Sequence, residues 1–246
     1  MLLHLFLRMY VGHLIGDFVL QPLWLAIAKR NGWPGLLLHV AVVTFSTAVM
    51  IWSVIPGWLL WSGVLFVVHL AIDQFRTFVF TDNSKGKGFL LLNLDQATHV
   101  ASLLIISWLA TGEAPPPMGV VFGQLMAPDN ARLALFAVVI VLVWAAPILE
   151  VELLVAILSF KTPSNNASVV PINLSDRITG SLERVVGLSL GLLAPLAFVP
   201  RFWWMMRQNH NNRVLAACVK SGTSLSLLAG AGLLIWMTHL FEFAFK

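Results

Sequence analysis

Residues 58–80 read WLLWSGVLFVVHLAIDQFRTFVF, and this stretch decides the fold class. It is apolar for long enough to cross a hydrocarbon core, which takes about 20 helical residues. It also carries His69 and Asp73, four residues apart. An i, i+4 pair lies on one face of a helix. Ionisable groups inside a spanning helix are costly and turn toward a partner or water. The stretch therefore predicts a transmembrane helix whose polar face meets other helices.

The rest of the chain follows the same pattern. Of 246 residues, 59% are hydrophobic and 11% are charged. Soluble domains carry about 25% charged residues, so lipid must cover most of this surface. Backbone polar groups in hydrocarbon have to be satisfied within their own segment, which favours helices. The apolar runs are long and continuous, unlike the short alternating strands of a barrel. The expected fold is an all-α, polytopic transmembrane bundle of about seven spanning helices. They fall near 4–28, 35–55, 58–80, 89–111, 131–160, 176–199 and 214–245, separated by Pro- and Gly-containing breaks such as Pro56-Gly57. Residues 1–111 make a four-helix membrane core. Residues 112–130, with Pro115-Pro116-Pro117, make an extracytoplasmic loop. Residues 131–246 supply C-terminal membrane helices, with a kink expected at Pro147. An interfacial segment near 201–213 contains Trp203 and Trp204.

Lys29 and Arg30 lie in the first loop, and Arg76, Lys85 and Lys87 lie around the third. The second loop and the loop over 112–130 hold no Lys or Arg. The positive-inside rule then puts the first and third loops in the cytoplasm and the N-terminus outside. Arg201, Arg207 and Arg213 run against that rule in a seven-span chain. The net charge of +4 comes without a dense basic tract, so it reads as topology and not as nucleic-acid binding. Cys218 is the single cysteine, which excludes an intrachain disulfide. Arg8, His13 and Asp17 interrupt the first apolar run, so it reads as a retained helix and not a signal peptide.

The candidate site lies in the first four helices. His13, Asp17 and Gln21 are spaced i, i+4, i+8 on helix one. His39 is on helix two, and His69 and Asp73 are on helix three. Helix four carries Asp95, Gln96 and His99. At about 1.5 Å rise per residue, His39, Asp73 and Asp95 lie roughly 7 Å inside the cytoplasmic boundary. His69 and His99 lie about 13 Å inside and Asp17 about 16 Å, with His13 deeper still. His13-x-x-x-Asp17 then His39 echoes His69-x-x-x-Asp73 then His99, as two pseudo-repeated hairpins would. Imidazoles and carboxylates together are ligands for a divalent metal ion such as zinc or manganese. Helix bundles build such sites from inward-facing i-spaced pairs. His13, Asp17, His39, His69, Asp73, Asp95 and His99 are the expected ligands, and one of Asp17, Asp73 or Asp95 is left free as general base. His4, His210 and His239 read as packing residues. Glu150 or Glu152 reads as an ion-pair partner of Arg184, beside Glu183.

The pattern His13-x-x-x-Asp17-x-x-x-Gln21, His39, His69-x-x-x-Asp73 and Asp95-Gln96-x-x-His99 resembles the bacterial membrane family catalogued as a domain of unknown function, DUF 3307. The resemblance runs through the first four helices. The stretch Gly180-Ser181-Leu182-Glu183-Arg184 resembles a segment that some members carry further on. It implies a multi-pass protein of a bacterial inner membrane and supplies no activity. The pattern is also loosely similar to membrane-bound metal-dependent hydrolases. Three functions follow from the cluster: a hydrolase acting on a lipid or phosphoester at the cytoplasmic leaflet, a cation- or proton-coupled transporter, and a scaffold in which the polar residues only glue helices together. No His-Glu-x-x-His motif, phosphate loop or nucleotide fingerprint is present.

Overall fold

The computed structural model describes residues 1–79, 88–146, 148, 149 and 152. Among them the regular elements are all helical. Helix α1 (Leu2–Leu14) continues as a π turn over Ile15–Val19. The chain leaves the helix at Leu20, and α2 (Leu23–Asn31) begins after Pro22. The single helix expected over 4–28 is therefore two helices. Pro22 explains the break, because it cannot donate to the preceding turn and it disfavours a helical conformation at Gln21. Gln21 is thereby carried away from the face of His13 and Asp17. It is half-buried and does not join the polar cluster, contrary to expectation.

Then follow α3 (Trp33–Ile51), α4 (Trp58–Val79) and α5 (Gly88–Thr111). The expected loop over 112–130 contains a short helix, α6 (Met118–Leu125), capped by Pro117 in an extended conformation. Helix α7 (Pro128–Ile140) starts three residues earlier than expected and passes into a second π turn, Val141–Ala145. Proline suits this first position, where its missing N–H would have had no partner. The sixth and seventh helices, the kink at Pro147, the segment over 201–213, and Glu150, Glu183, Arg184, Lys85 and Lys87 lie outside the described residues.

Five segments are long and apolar enough to cross a membrane: Leu2–Val19, Trp33–Ile51, Trp58–Thr77, Gly88–Thr111 and Pro128–Ala145. Their outer faces stay apolar, with Leu59, Phe45 and Val67 each about two-thirds exposed. Such faces suit hydrocarbon and would aggregate in water. The chain is a membrane-embedded helical protein. The contact pattern divides it into two compact units, one within residues 1–140 and one formed by 84–90 with 141–246. The candidate site and its supports belong to the first.

Two glycines let α1 meet α3. A Cβ at Gly12 would lie 2.6 Å from the Cα of Thr47, and one at Gly16 would lie 2.5 Å from the Cα of Val43. The backbones touch here because neither residue has a side chain, as in small-xxx-small packing in membranes. Ser46 Oγ reinforces the crossing at 2.8 Å from the carbonyl oxygen of Gly12. At the other end of the unit, Leu5, Met9, Ile51, Ile55, Leu65, Leu103 and Ile106 form an apolar core.

Beside that core a polar chain ties α1 to its neighbours. Arg8 Nε donates to His4 Nε2 at 2.9 Å, so His4 carries its proton on Nδ1 and donates it to Asn130 Oδ1 at 2.7 Å. Asn130 Nδ2 in turn donates to the carbonyl of Gln124 at 2.8 Å, and Arg8 NH1 donates to the carbonyl of Met50 at 3.1 Å. His4 is a packing residue, as expected. Outside the spans, the Leu2 N–H and the terminal ammonium hold the Glu113 carboxyl below the usual carboxylate range. Substituting His4 with Phe strips a charged donor and an amide acceptor of their shared partner. The expected cost is about 2 kcal/mol, measured as a lower thermal midpoint in detergent, with metal binding unchanged.

Candidate metal centre

Each polar side chain of the site reaches its place through a local feature of its helix. His13 and Asp17 straddle the junction of α1 with its π turn, a bulge often found at functional sites. The glycine contacts press this segment onto α3, where His39 faces it. His69 and Asp73 project from α4 at i, i+4, and Asp95 and His99 from α5 at the same spacing. All seven are buried, with exposures of 0 to 8%. The expected convergence of these seven residues is what the structure contains.

The levels differ from expectation in one respect. The first candidate span ends at Val19 and not near residue 28, so Asp17 lies close to the end of its span. The His13 ring centroid lies 5.1 Å from that of His69 and 5.0 Å from that of His99. His69 is central, at 5.4 Å from His39 and 4.4 Å from His99.

The contacts have the spacing of ligands around an ion. His39 Nε2 is 3.1 Å from Asp73 Oδ2, 3.2 Å from Asp17 Oδ1 and 3.4 Å from His69 Nε2. His69 Nε2 is 3.5 Å from Asp73 Oδ2 and 3.9 Å from Asp17 Oδ1. Two ligands at about 2.0–2.2 Å from one ion stand roughly 3.0–3.6 Å apart in octahedral or tetrahedral geometry. A single imidazole N–H can serve one acceptor well, whereas His39 Nε2 faces four neighbours once Lys29 Nζ at 3.4 Å is included. Three overlapping groups can hold a metal ion: His13, His69 and His99; Asp17, His39 and His69; Asp73, Asp95 and His99. Within each group the ligand atoms lie within 4.8 Å of one another.

Unmet hydrogen-bonding capacity points the same way. Asp17 Oδ1, Asp73 Oδ2, Asp95 Oδ1 and His99 Nε2 are buried without a directed hydrogen bond among the described residues. So are both ring nitrogens of His13 and the Nδ1 atoms of His39 and His69. Each such group costs about 1–3 kcal/mol, more when charged. His99 shows how the site is arranged. Its Nδ1 donates to the carbonyl of Asp95 at 2.9 Å, which fixes the tautomer and leaves the Nε2 lone pair aimed into the cluster. A backbone carbonyl behind the distal nitrogen is the usual support for a metal-bound His.

Around this core stand three further polar side chains. Gln96, an expected site residue, donates from Nε2 to Asp17 Oδ2 at 3.5 Å and to Asp95 Oδ2 at 3.4 Å. Arg76 and Lys29 were read from sequence only as topology signals, yet both reach the site. Arg76 NH1 is 3.0 Å from Asp95 Oδ2, and Lys29 Nζ is 3.6 Å from Asp73 Oδ2. Arg76 was legible, since it lies three residues after Asp73 on the same face. Lys29 was not, because its approach depends on α2 folding back against α3.

Fold and site define a class: a helical membrane protein that gathers four imidazoles and three carboxylates in the interior of its first membrane unit. Residues 5–116 match the family model described as "Protein of unknown function (DUF3307)". The matched stretch begins in α1 and ends just beyond α5, so it contains every residue of the cluster, together with Lys29, Arg76 and Gln96. No curated protein and no solved structure matches the chain.

Proposed function

We propose that the protein is a metal-dependent membrane hydrolase whose His/Asp cluster holds one or two divalent ions, zinc or manganese by the mixed nitrogen and oxygen donor set. The observation that carries this reading is the convergence of buried imidazole nitrogens and carboxylate oxygens at ion-coordination spacing. His39, His69, Asp17 and Asp73 hold the first ion, and His13 and His99 extend the set to a second. Asp95 is the general base: Arg76 and Gln96 fix its Oδ2, and its Oδ1 remains free. An ion held here supplies Lewis-acid polarisation and a water that ionises near neutral pH.

The substrate in this reading is a lipid or water-borne phosphoester or acyl ester, reached from the cytoplasmic leaflet of a bacterial inner membrane. The basic residues set that orientation, the family resemblance suggests the membrane, and the seven-span count and duplicated hairpins belong to the same proposal. Hydrolysis is favoured over transport by what lies beyond the cluster. The interior there is closed by Leu5, Met9, Ile51, Leu65 and Leu103. Among the described residues, the hydroxyls of Ser62 and Ser107 there are bonded to carbonyls of their own helices.

Metal analysis of the purified full chain tests the proposal. Wild type is expected to carry at least one divalent ion per chain, and the double variant His69→Ala, Asp73→Ala close to none. Equal and negligible metal in both would remove the metal centre. Chelator-sensitive cleavage of phosphoester and acyl-ester probes then tests the hydrolase assignment. Metal binding without cleavage of either would leave the centre and refute the activity.

A further inference from the structure

Lys29 has no task in the hydrolase reading, yet its ammonium sits among the proposed ligands. It stands 3.6 Å from Asp73 Oδ2 and 3.4 Å from His39 Nε2, and those two atoms are themselves 3.1 Å apart. Its side chain is 14% exposed, so the charge is largely removed from water but retains a route outward. Lysine is a compact point charge on a flexible four-carbon stem, without the fixed fork that keeps Arg76 on Asp95.

We propose that Lys29 is a resident cation of the cluster, which neutralises Asp73 in the metal-free protein and is expelled when a divalent ion takes Asp73 and His39. The proposal rests on the metal-centre reading and adds a control on affinity to it. With the imidazoles neutral, three carboxylates against Lys29 and Arg76 leave the metal-free cluster with one negative charge in excess. A divalent ion bound to Asp73 and His39 would stand within about 4 Å of the ammonium if the lysine stayed. Like charges at that separation in a dry site repel strongly. The stem can swing away without moving α2, so the ion's arrival requires only a side-chain rotation. The consequence is that the ion binds more weakly than its ligand set allows, by the work of displacing Lys29. The effect is one of charge, so it applies alike to zinc and to manganese.

Two measurements on the full chain in detergent micelles test this. First, zinc and manganese dissociation constants are compared for wild type, Lys29→Met and Lys29→Arg. Lys29→Met keeps the apolar stem and is expected to bind both ions at least about tenfold more tightly. Lys29→Arg keeps the charge and is expected to stay within about threefold of wild type on the same ground. Unchanged affinity in Lys29→Met overturns the proposal. Weaker affinity overturns it too, since that is the result for a lysine that acts as a ligand or only as a structural prop. No ion bound by any of the three removes the metal centre itself, and this proposal with it. Second, wild type alone is acetylated with an amine-reactive ester, with and without zinc, and Lys29 modification is read by mass spectrometry. This arm does not depend on a variant folding. Zinc is expected to raise Lys29 modification several-fold. Modification of Lys29 that is unchanged or reduced by zinc overturns the proposal.

Discussion

Substituting Asp73 with Asn is expected to abolish divalent-ion binding at working concentrations, although the side chain keeps its size. Asp73 Oδ2 lies 3.1 Å from His39 Nε2 and 3.5 Å from His69 Nε2, and its Oδ1 lies 3.8 Å from His99 Nε2. It thus touches ligand atoms from two other helices and from its own. Structural zinc sites with four ligands bind with about 10–16 kcal/mol. One ligand therefore carries roughly 3 kcal/mol, and loss of a charged one should weaken affinity by a hundredfold or more. The substitution also leaves Lys29 buried without its counter-charge. Removing one partner of a buried pair costs about 3–5 kcal/mol, and the partial exposure of Lys29 puts the expectation at the low end. Isothermal titration reports the first effect, and the metal-free thermal midpoint the second. Gln21→Ala is the control and should change neither, since Gln21 lies outside the cluster. A polar knot without a metal predicts the stability loss too, but it also predicts that a chelator leaves the wild-type midpoint unmoved. That result, together with no heat of ion binding, would sink the metal centre.

The cluster was legible in sequence because lipid makes ionisable residues conspicuous. In a soluble chain, His13, His39, His69 and His99 would be lost among ordinary surface histidines. Here each stands in an apolar run, and the i, i+4 spacing of His13/Asp17, His69/Asp73 and Asp95/His99 fixes a common face. What was misread depends on where a helix stops. The i+8 position of Gln21 shares a face with His13 only if the helix continues, and Pro22 ends it. Residues 112–130 read as loop because Pro115-Pro116-Pro117 and Gly119 are poor helix formers, yet Pro117 is the cap of α6. Lys29 carried a correct topological meaning that hid a second one, since a charge beyond one helix end says nothing about which helix it returns to.

The same α1 stretch held a further signal, Gly12-x-x-x-Gly16, interleaved with His13-x-x-x-Asp17. Substituting Gly16 with Leu is expected to cost more than about 3 kcal/mol and to remove metal binding at once. Even the first carbon of the new side chain would lie 2.5 Å from Val43 Cα and 2.7 Å from Ser46 Oγ. Backbone cannot rotate away as a long side chain can, so α1 and α3 must separate. Overpacking in a well-packed core costs about 1–3 kcal/mol, and a clash with backbone falls at or beyond the top of that range. Ser46→Ala tests the other component of the crossing. It removes the hydroxyl that reaches the Gly12 carbonyl, and interhelical hydrogen bonds in membranes average about 0.6 kcal/mol. Close packing, not the hydrogen bond, therefore sets the spacing of α1 from α3. His13 and Asp17 ride on that segment, and His39 rides on the other side of it. A separation of even about 1 Å would pull Asp17 Oδ1 beyond ion-sharing distance of His39 Nε2, given ligand bonds that hold to about 0.2 Å. Thermal midpoint and metal content should fall together in Gly16→Leu, whereas Ser46→Ala should lower the midpoint slightly and keep its ion. A Gly16→Leu protein that retains its ion at wild-type stoichiometry would show that the crossing does not position the site.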